Sequence, residues 1–192
     1  MRVVRAVIIV LATTGFSSAA ISRTADAQVV SAVLNILAKE AGSDGSTVCV
    51  MPTLRRPLEA AGTTKNRDLW SYWSTSAGKP VGFSQSRKLD IALKSAKKFA
   101  NRSNRNGLIR KVPMPLILYK KDAPEDGRCA IDGKGDVYQI AISKPALSGD
   151  FAFVETYTII HGTNPPPELF AFQKVSGRWM RKAAARRTLW FD

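Results

Sequence analysis

One histidine, His161, and two cysteines, Cys49 and Cys129, are all that 192 residues provide. A structural zinc takes four N or S ligands, and the 49–129 spacing matches no zinc pattern, so zinc chemistry is excluded. Imidazole catalysis would rest on His161 alone. Glu155 would orient it only if the strand bent, because six extended residues separate them by about 20 Å. His161 therefore reads as a turn residue beside Pro165-Pro166-Pro167. Ser143 and Ser148 lack the Gly-x-Ser-x-Gly setting of a nucleophile elbow. Gly133 and Gly135 are followed by no Gly-Lys-Ser/Thr opening a helix, so they form no phosphate cradle. Asp122, Glu125, Asp126, Asp132 and Asp136 crowd one loop, but Asp132-Gly133-Lys134-Gly135-Asp136 puts a lysine where a calcium ligand belongs. These acids read as solvated loop charges. No catalytic, cofactor or metal motif stands out, and no cofactor is expected.

Long apolar runs are missing as well. Ala6-Val7-Ile8-Ile9-Val10-Leu11-Ala12 falls well short of the ~20 residues needed to span a bilayer. Behind Arg2 and Arg5 it reads as the core of a signal peptide. Ala25-Asp26-Ala27 fits the small-x-small pattern of signal peptidase, with cleavage before Gln28; a cut after Ala19 or Ala20 is the alternative. No cysteine follows the apolar core, which argues against a lipoprotein anchor. The expected organisation is a signal peptide over 1–27 and a single domain over 28–192, exported to the periplasm or secreted. No transmembrane segment is expected in the mature chain, and its oligomeric state is unknown. About 165 residues suit one compact domain. In an oxidising compartment Cys49 and Cys129 pair naturally as a disulfide; two separate thiols are the other reading.

Positive charge is what the chain has in excess, with 29 Lys and Arg against 15 Asp and Glu. Removing Arg2, Arg5, Arg23 and Asp26 leaves 26 basic and 14 acidic side chains, a net of +12. Such a field attracts anionic partners and speeds their encounter. Outside the cytoplasm these would be lipopolysaccharide, acidic glycan, anionic lipid heads or DNA. The competing account is charge that serves solubility and selects no partner.

Periodicity predicts a helix over 28–41, with Val29, Val33, Ile36 and Leu37 at helical spacing and Gly42 as the stop. A short buried strand follows over 47–51. Residues 53–83 read as an irregular but ordered excursion: with Leu69, Trp70, Tyr72 and Trp73 so close together it would fold back onto a core and rim a groove. The clearest helix is 86–100, with Leu89, Ala92, Leu93, Ala96, Phe99 and Ala100 on one stripe. Residues 116–119 read as a strand. From residue 137 the pattern changes to strands over 137–143, 151–160 and 169–173, with a fourth from Trp179, and turns such as Ser176-Gly177 between them. Leu189-Trp190-Phe191 would add a last short strand. The predicted fold class is α+β: one antiparallel sheet, with a C-terminal meander of three to four strands, and two main helices on one side of it.

Several phrases carry a resemblance. They are Val30-Ser31-Ala32-Val33-Leu34-Asn35 in the first helix, Ile142-Ser143-Lys144-Pro145-Ala146-Leu147, Asp150-Phe151-Ala152-Phe153-Val154-Glu155, Glu168-Leu169-Phe170-Ala171-Phe172 and Lys174-Val175-Ser176-Gly177-Arg178-Trp179. The chain resembles a group of uncharacterised exported bacterial proteins with an N-terminal helix and a C-terminal β-meander ending in Gly-Lys/Arg-Trp. The likeness covers the C-terminal third and the first helix and strand. It implies a fold and an envelope setting and carries over no catalytic residue. Where those proteins often hold a Gly/Cys-rich loop, this chain has His161-Gly162-Thr163-Asn164.

Two basic runs are the candidate anion-binding residues. Arg87, Lys94, Lys97 and Lys98 cluster on the helix side away from the Leu89 stripe, and Arg102 and Arg105 continue them. Arg178, Arg181, Lys182, Arg186 and Arg187 lie between Trp179 and Trp190. Basic groups interleaved with aromatics suit phosphate-bearing or sulfated polymers, and the first run also suits a membrane surface. A solvated helix face and a charged tail are the plainer alternatives. The leading expectation is a non-enzymatic binding or accessory domain with a basic face. The alternative is a secreted hydrolase with its groove near Trp70 and Trp73.

Overall fold

Phe151-Ala152-Phe153-Val154 and Leu169-Phe170-Ala171-Phe172 are apolar at every position, so strands built from them need cover on both faces. The computed structural model describes residues 18–45, 47–58, 73–100, 109–119, 129, 137–159 and 165–186. Helix α1 spans Ser18–Asp44 and α2 spans Phe83–Ala100. The strands are β1 (Thr47–Val50), β2 (Ile117–Leu118), β3 (Val137–Ile142), β4 (Ala146–Ser148), β5 (Phe151–Ile159), β6 (Glu168–Val175) and β7 (Arg178–Arg186). They form one sheet in the order β2-β1-β3-β5-β6-β7, with β4 also paired to β5. The fold is α+β. The meander β3-β5-β6-β7 is antiparallel, while β1 runs parallel to both β2 and β3.

The helices do not share one side of the sheet as expected; they cover opposite faces. Val48, Val50, Ile140, Ile142, Ala152, Val154, Phe170, Phe172 and Ala184 pack with α1, through Val29, Val33, Leu34, Leu37, Ala38 and Ala41. Ala146, Phe153, Leu169, Ala171, Ala183 and Ala185 pack with Leu89, Ala92, Leu93 and Ala96 of α2. The alternation of side chains along a strand sends Phe153 and Val154 to opposite layers. Full burial of both demands two covers.

Helix and strand ends also differ from the expectation, for local reasons. Gly42 stays helical, and α1 continues to Asp44. It ends where Gly45 takes a φ of 70°, a left-handed stop that a residue with Cβ adopts at a cost. The α2 helix starts three residues early, because the Gly82 carbonyl already accepts from Gln85 and Ser86 at 3.1 and 2.9 Å. The hairpin between β6 and β7 turns on Ser176-Gly177, both at positive φ (49° and 80°), which suits the right-handed twist of the two strands.

Strand β4 is an element the pattern did not reveal. It lies in line with β3 along the same edge of β5. Ile142 pairs with Thr156 and Ala146 with Phe153, so β3–β4 holds one more residue than β5 opposes. That bulge falls at Ser143-Lys144-Pro145, where proline interrupts the ladder.

Candidate functional site

Three groups of polar residues stand out, and each has a different fate. The first is at the bulge. Ser143 and Glu155 are both fully buried. The Ser143 hydroxyl accepts from the Glu155 backbone N–H at 2.9 Å and donates to the Lys144 carbonyl at 3.1 Å. The Tyr157 phenol donates to the Glu155 carboxyl, and the Arg55 guanidinium lies 4.6 Å from the Tyr157 ring centre. Arg55 is tied down by its own backbone, donating to Ile142 and accepting from Lys144 at 2.8 and 2.9 Å. A buried carboxyl without partners is costly. Here it is held within a set of contacts that fixes the bulge. With its hydroxyl proton committed and no solvent access, Ser143 is not placed as a nucleophile.

The second group lies on the α1 face. Arg181 meets Glu40 of α1 at 3.3 Å and rests 5.4 Å from the Phe170 ring centre. Glu168 faces Arg186 across the β6–β7 ladder. Burial pushes the Glu168 carboxyl above its ordinary value; Arg186 and Arg181 oppose this, while Glu40 adds to it. Two of the candidate anion-binding residues, Arg181 and Arg186, thus sit beside carboxyl groups of the chain itself. Lys182 is half-buried at the register shift of β7, since Ala171 pairs with Ala183 and Phe172 with Arg181. Arg178 is exposed at the start of the strand. Arg187 lies outside the described residues.

The third group is the outer surface of α2. Arg87, Lys94, Lys97 and Lys98 are all exposed. Among the described residues, none of the four has a carboxyl partner within ion-pair distance. At 100° per residue, Arg87, Lys94 and Lys98 fall within an arc of about 40° on the side opposite Leu89 and Ala96. Arg102 and Arg105 lie outside the described residues. The two basic runs do not form one patch: Arg181 belongs to the α1 layer, whereas α2 lies on the other face of the sheet.

Trp73, expected at the rim of a groove, is a core residue with 5 % of its surface exposed. Its indole N–H donates to Asp90 of α2 at 2.7 Å, and its ring lies 6.2 Å from that of Phe153. Ser74 next to it pairs with Ala184 through two 2.8 Å backbone bonds, which anchors this segment to the edge of β7. Dense aromatics were expected to fold back onto a core, and Trp73 does so; Leu69 and Tyr72 lie outside the described residues. That it enters the layer between β7 and α2 depends on where those elements lie. Trp70, His161 and the acidic residues Asp122, Glu125, Asp126, Asp132 and Asp136 lie outside the described residues. Among the described residues no three His, Cys, Asp or Glu side chains gather as a metal site.

Cys49 and Cys129 form a disulfide, with Cα atoms 5.8 Å apart. Cys49 is fully buried and lies opposite Gln139 in the β1–β3 ladder. The Gln139 amide donates to the Cys129 carbonyl at 3.0 Å. Val48 and Val50 pack on the α1 side, so Cys49 faces the other way. The bridge therefore draws residue 129 over β1 and β3 on the α2 face of the sheet. No described helix is long and apolar enough to cross a membrane. No protein-family model, curated protein or solved structure matches the chain.

Proposed function

We propose that this protein is an exported, non-enzymatic accessory or binding domain, and that the outer face of α2 meets an anionic partner. The observation that carries this reading is the contrast between the two basic runs. Arg181 and Arg186 sit against Glu40 and Glu168, so much of their charge is answered within the fold. Arg87, Lys94 and Lys98 project to solvent from a helix whose other side is fully used by the core. Charge of one sign left open on a rigid element is suited to an external anion.

Export fits two features. The disulfide is at home in an oxidising compartment. Every described α1 side chain that is buried, from Val29 to Ala41, lies beyond Ala27. Cleavage before Gln28 would cut the helix yet keep every described side chain of α1 that is buried in the core. It would also remove Asp26, whose carboxyl is pushed up by burial and only partly offset by Lys144.

The test is binding of the chain from Gln28 onward to lipopolysaccharide, a heparin-like glycan and DNA across a salt series. Affinity that survives physiological salt, and falls when Lys94 and Lys98 are both changed to Gln, supports the reading. No binding to any of the three at physiological salt would mean that the charge selects no partner.

A further inference from the structure

The outside of α2 is not purely basic. Phe83 is 84 % exposed and Ile91 is 62 % exposed. They border the cationic stripe, one on each side of it. Phe83, Arg87, Ile91, Lys94 and Lys98 follow one another at spacings of four, four, three and four, which places them within an arc of about 80°. At 1.5 Å per residue the row is about 22 Å long. Lys97 and Asp90 flank it on one side and Lys88 on the other. Asp90 is already engaged by the Trp73 indole. The opposite side of the helix, with Leu89, Ala92, Leu93 and Ala96, is buried against the sheet. This row is therefore the part of α2 that is free to meet something else.

Its composition chooses between anions. A hydrated polyanion such as DNA or a sulfated glycan uses cations and flat rings, and an isoleucine in the middle of the row gives it neither a charge nor a stacking surface. A bilayer with anionic headgroups uses every member of the row. Arg87, Lys94 and Lys98 meet phosphates, while Phe83 and Ile91 reach the boundary of the acyl chains. Single exposed apolar residues are ordinary on any protein. Here two large ones stand beside three cations that have no carboxyl partner among the described residues.

We infer that α2 lies against an anionic lipid surface, with Phe83 and Ile91 inserted between the headgroups. This rests on the proposed role of the basic face and narrows its partner to a membrane. The basic face alone requires only an anion.

The experiment uses the exported chain and two kinds of vesicle, one of phosphatidylcholine and one containing about a third phosphatidylglycerol, with heparin and duplex DNA as soluble comparisons. Three forms are compared: the parent, Phe83→Ser with Ile91→Ser, and Lys94→Gln with Lys98→Gln. All four positions are exposed, so an unchanged melting temperature checks that each variant is folded. Of the two vesicles, the parent is expected to bind only the anionic one. The lysine variant should lose about thirtyfold on vesicles and also weaken on heparin. The Phe83/Ile91 variant should lose about tenfold on vesicles and keep its heparin and DNA binding. Equal vesicle binding by the parent and the Phe83/Ile91 variant would overturn the insertion and leave the basic-face reading intact. Binding to heparin or DNA without binding to vesicles would overturn it in favour of a soluble polyanion. Binding to none of the four at physiological salt would remove both readings.

Discussion

On one face of the sheet a single helix, α1, shares one continuous apolar cluster with strands β1, β3, β5, β6 and β7. On the other face the cover comes in pieces. Helix α2 lies mainly over β4 and β5, Trp73 and Ser74 reach across to β7, and the disulfide holds residue 129 over β1 and β3. Charge follows the same division. Beside α1, Arg181 and Arg186 of β7 meet Glu40 and Glu168, so they belong to the fold. On the outside of α2, the described cations have no such partner. The comparison teaches that residue type alone does not mark a binding surface, since Arg181 and Lys94 look equivalent in the sequence.

The sharpest way to break the comparison is to remove one large side chain from each layer. Phe153 on the α2 face and Phe172 on the α1 face are both fully buried. Each change to Ala should cost roughly 3–5 kcal/mol in urea denaturation, with a single transition in both cases. A cost below 1 kcal/mol for Phe153→Ala would mean that the pieced cover is loose and that the α2 layer is peripheral.

Removing the bridge by Cys49→Ser with Cys129→Ser comes next. A closed loop spanning 80 positions contributes about 4 kcal/mol through the unfolded chain. Hydrogen exchange should rise most in β1 and β3, which lie under the bridge, while β6 and β7 keep their relative protection. Uniform loss of protection would show instead that both layers depend equally on the disulfide.

A smaller effect is expected at Asp90→Ala. The buried Trp73 indole loses its acceptor, which should cost about 1–2 kcal/mol. Thermal melting would measure it, and the Trp73 fluorescence should change in the folded state. If stability is unchanged, the indole has found another acceptor, and Asp90 does not hold the two segments together.

The last effect is one of pH. Burial favours the protonated form of Glu168 in the fold, so its folded value lies above the ordinary 4.5. The folded state then binds more protons than the unfolded chain in this window. Stability through this group is fullest in acid and falls as pH rises through the raised value. Melting temperatures of the parent and Glu168→Gln should therefore converge or cross in the parent's favour as pH is lowered from 7 towards 5. A difference that stays constant over that range would mean that Arg186 and Arg181 fully offset the burial.

How much of this was legible in the sequence depends on the distance over which each feature is decided. The helix through Leu89 and the strands through Ile140, Val154 and Phe170 are written in local periodicity, and each appears within a few residues of its expected position. The missed β4 is three residues long and follows a proline, so it has no periodic signal of its own. Likewise the stop expected at Gly42 falls three residues later, where Gly45 takes the left-handed backbone. For the candidate site, the exposed basic face of α2 follows from a helical wheel, because the side opposite a buried stripe is solvated by geometry. The fate of β7 does not follow, because Glu40 meets Arg181 across 141 positions of chain.

By itself, the sequence determined the α+β class, the second helix and the main strands, the core-facing stripe of the first helix though not its start at Ser18, the two cysteines able to pair, and a surplus of positive charge. These depend on side-chain spacing and composition, which need no knowledge of the fold. Tertiary structure alone decided that the helices take opposite faces, which layer Trp73 enters, and which described cations are answered by carboxyl groups. The physical reason is that a strand apolar on both sides must be covered twice, and the second cover is recruited from distant parts of the chain. Only when those parts meet does a residue become buried, paired or free.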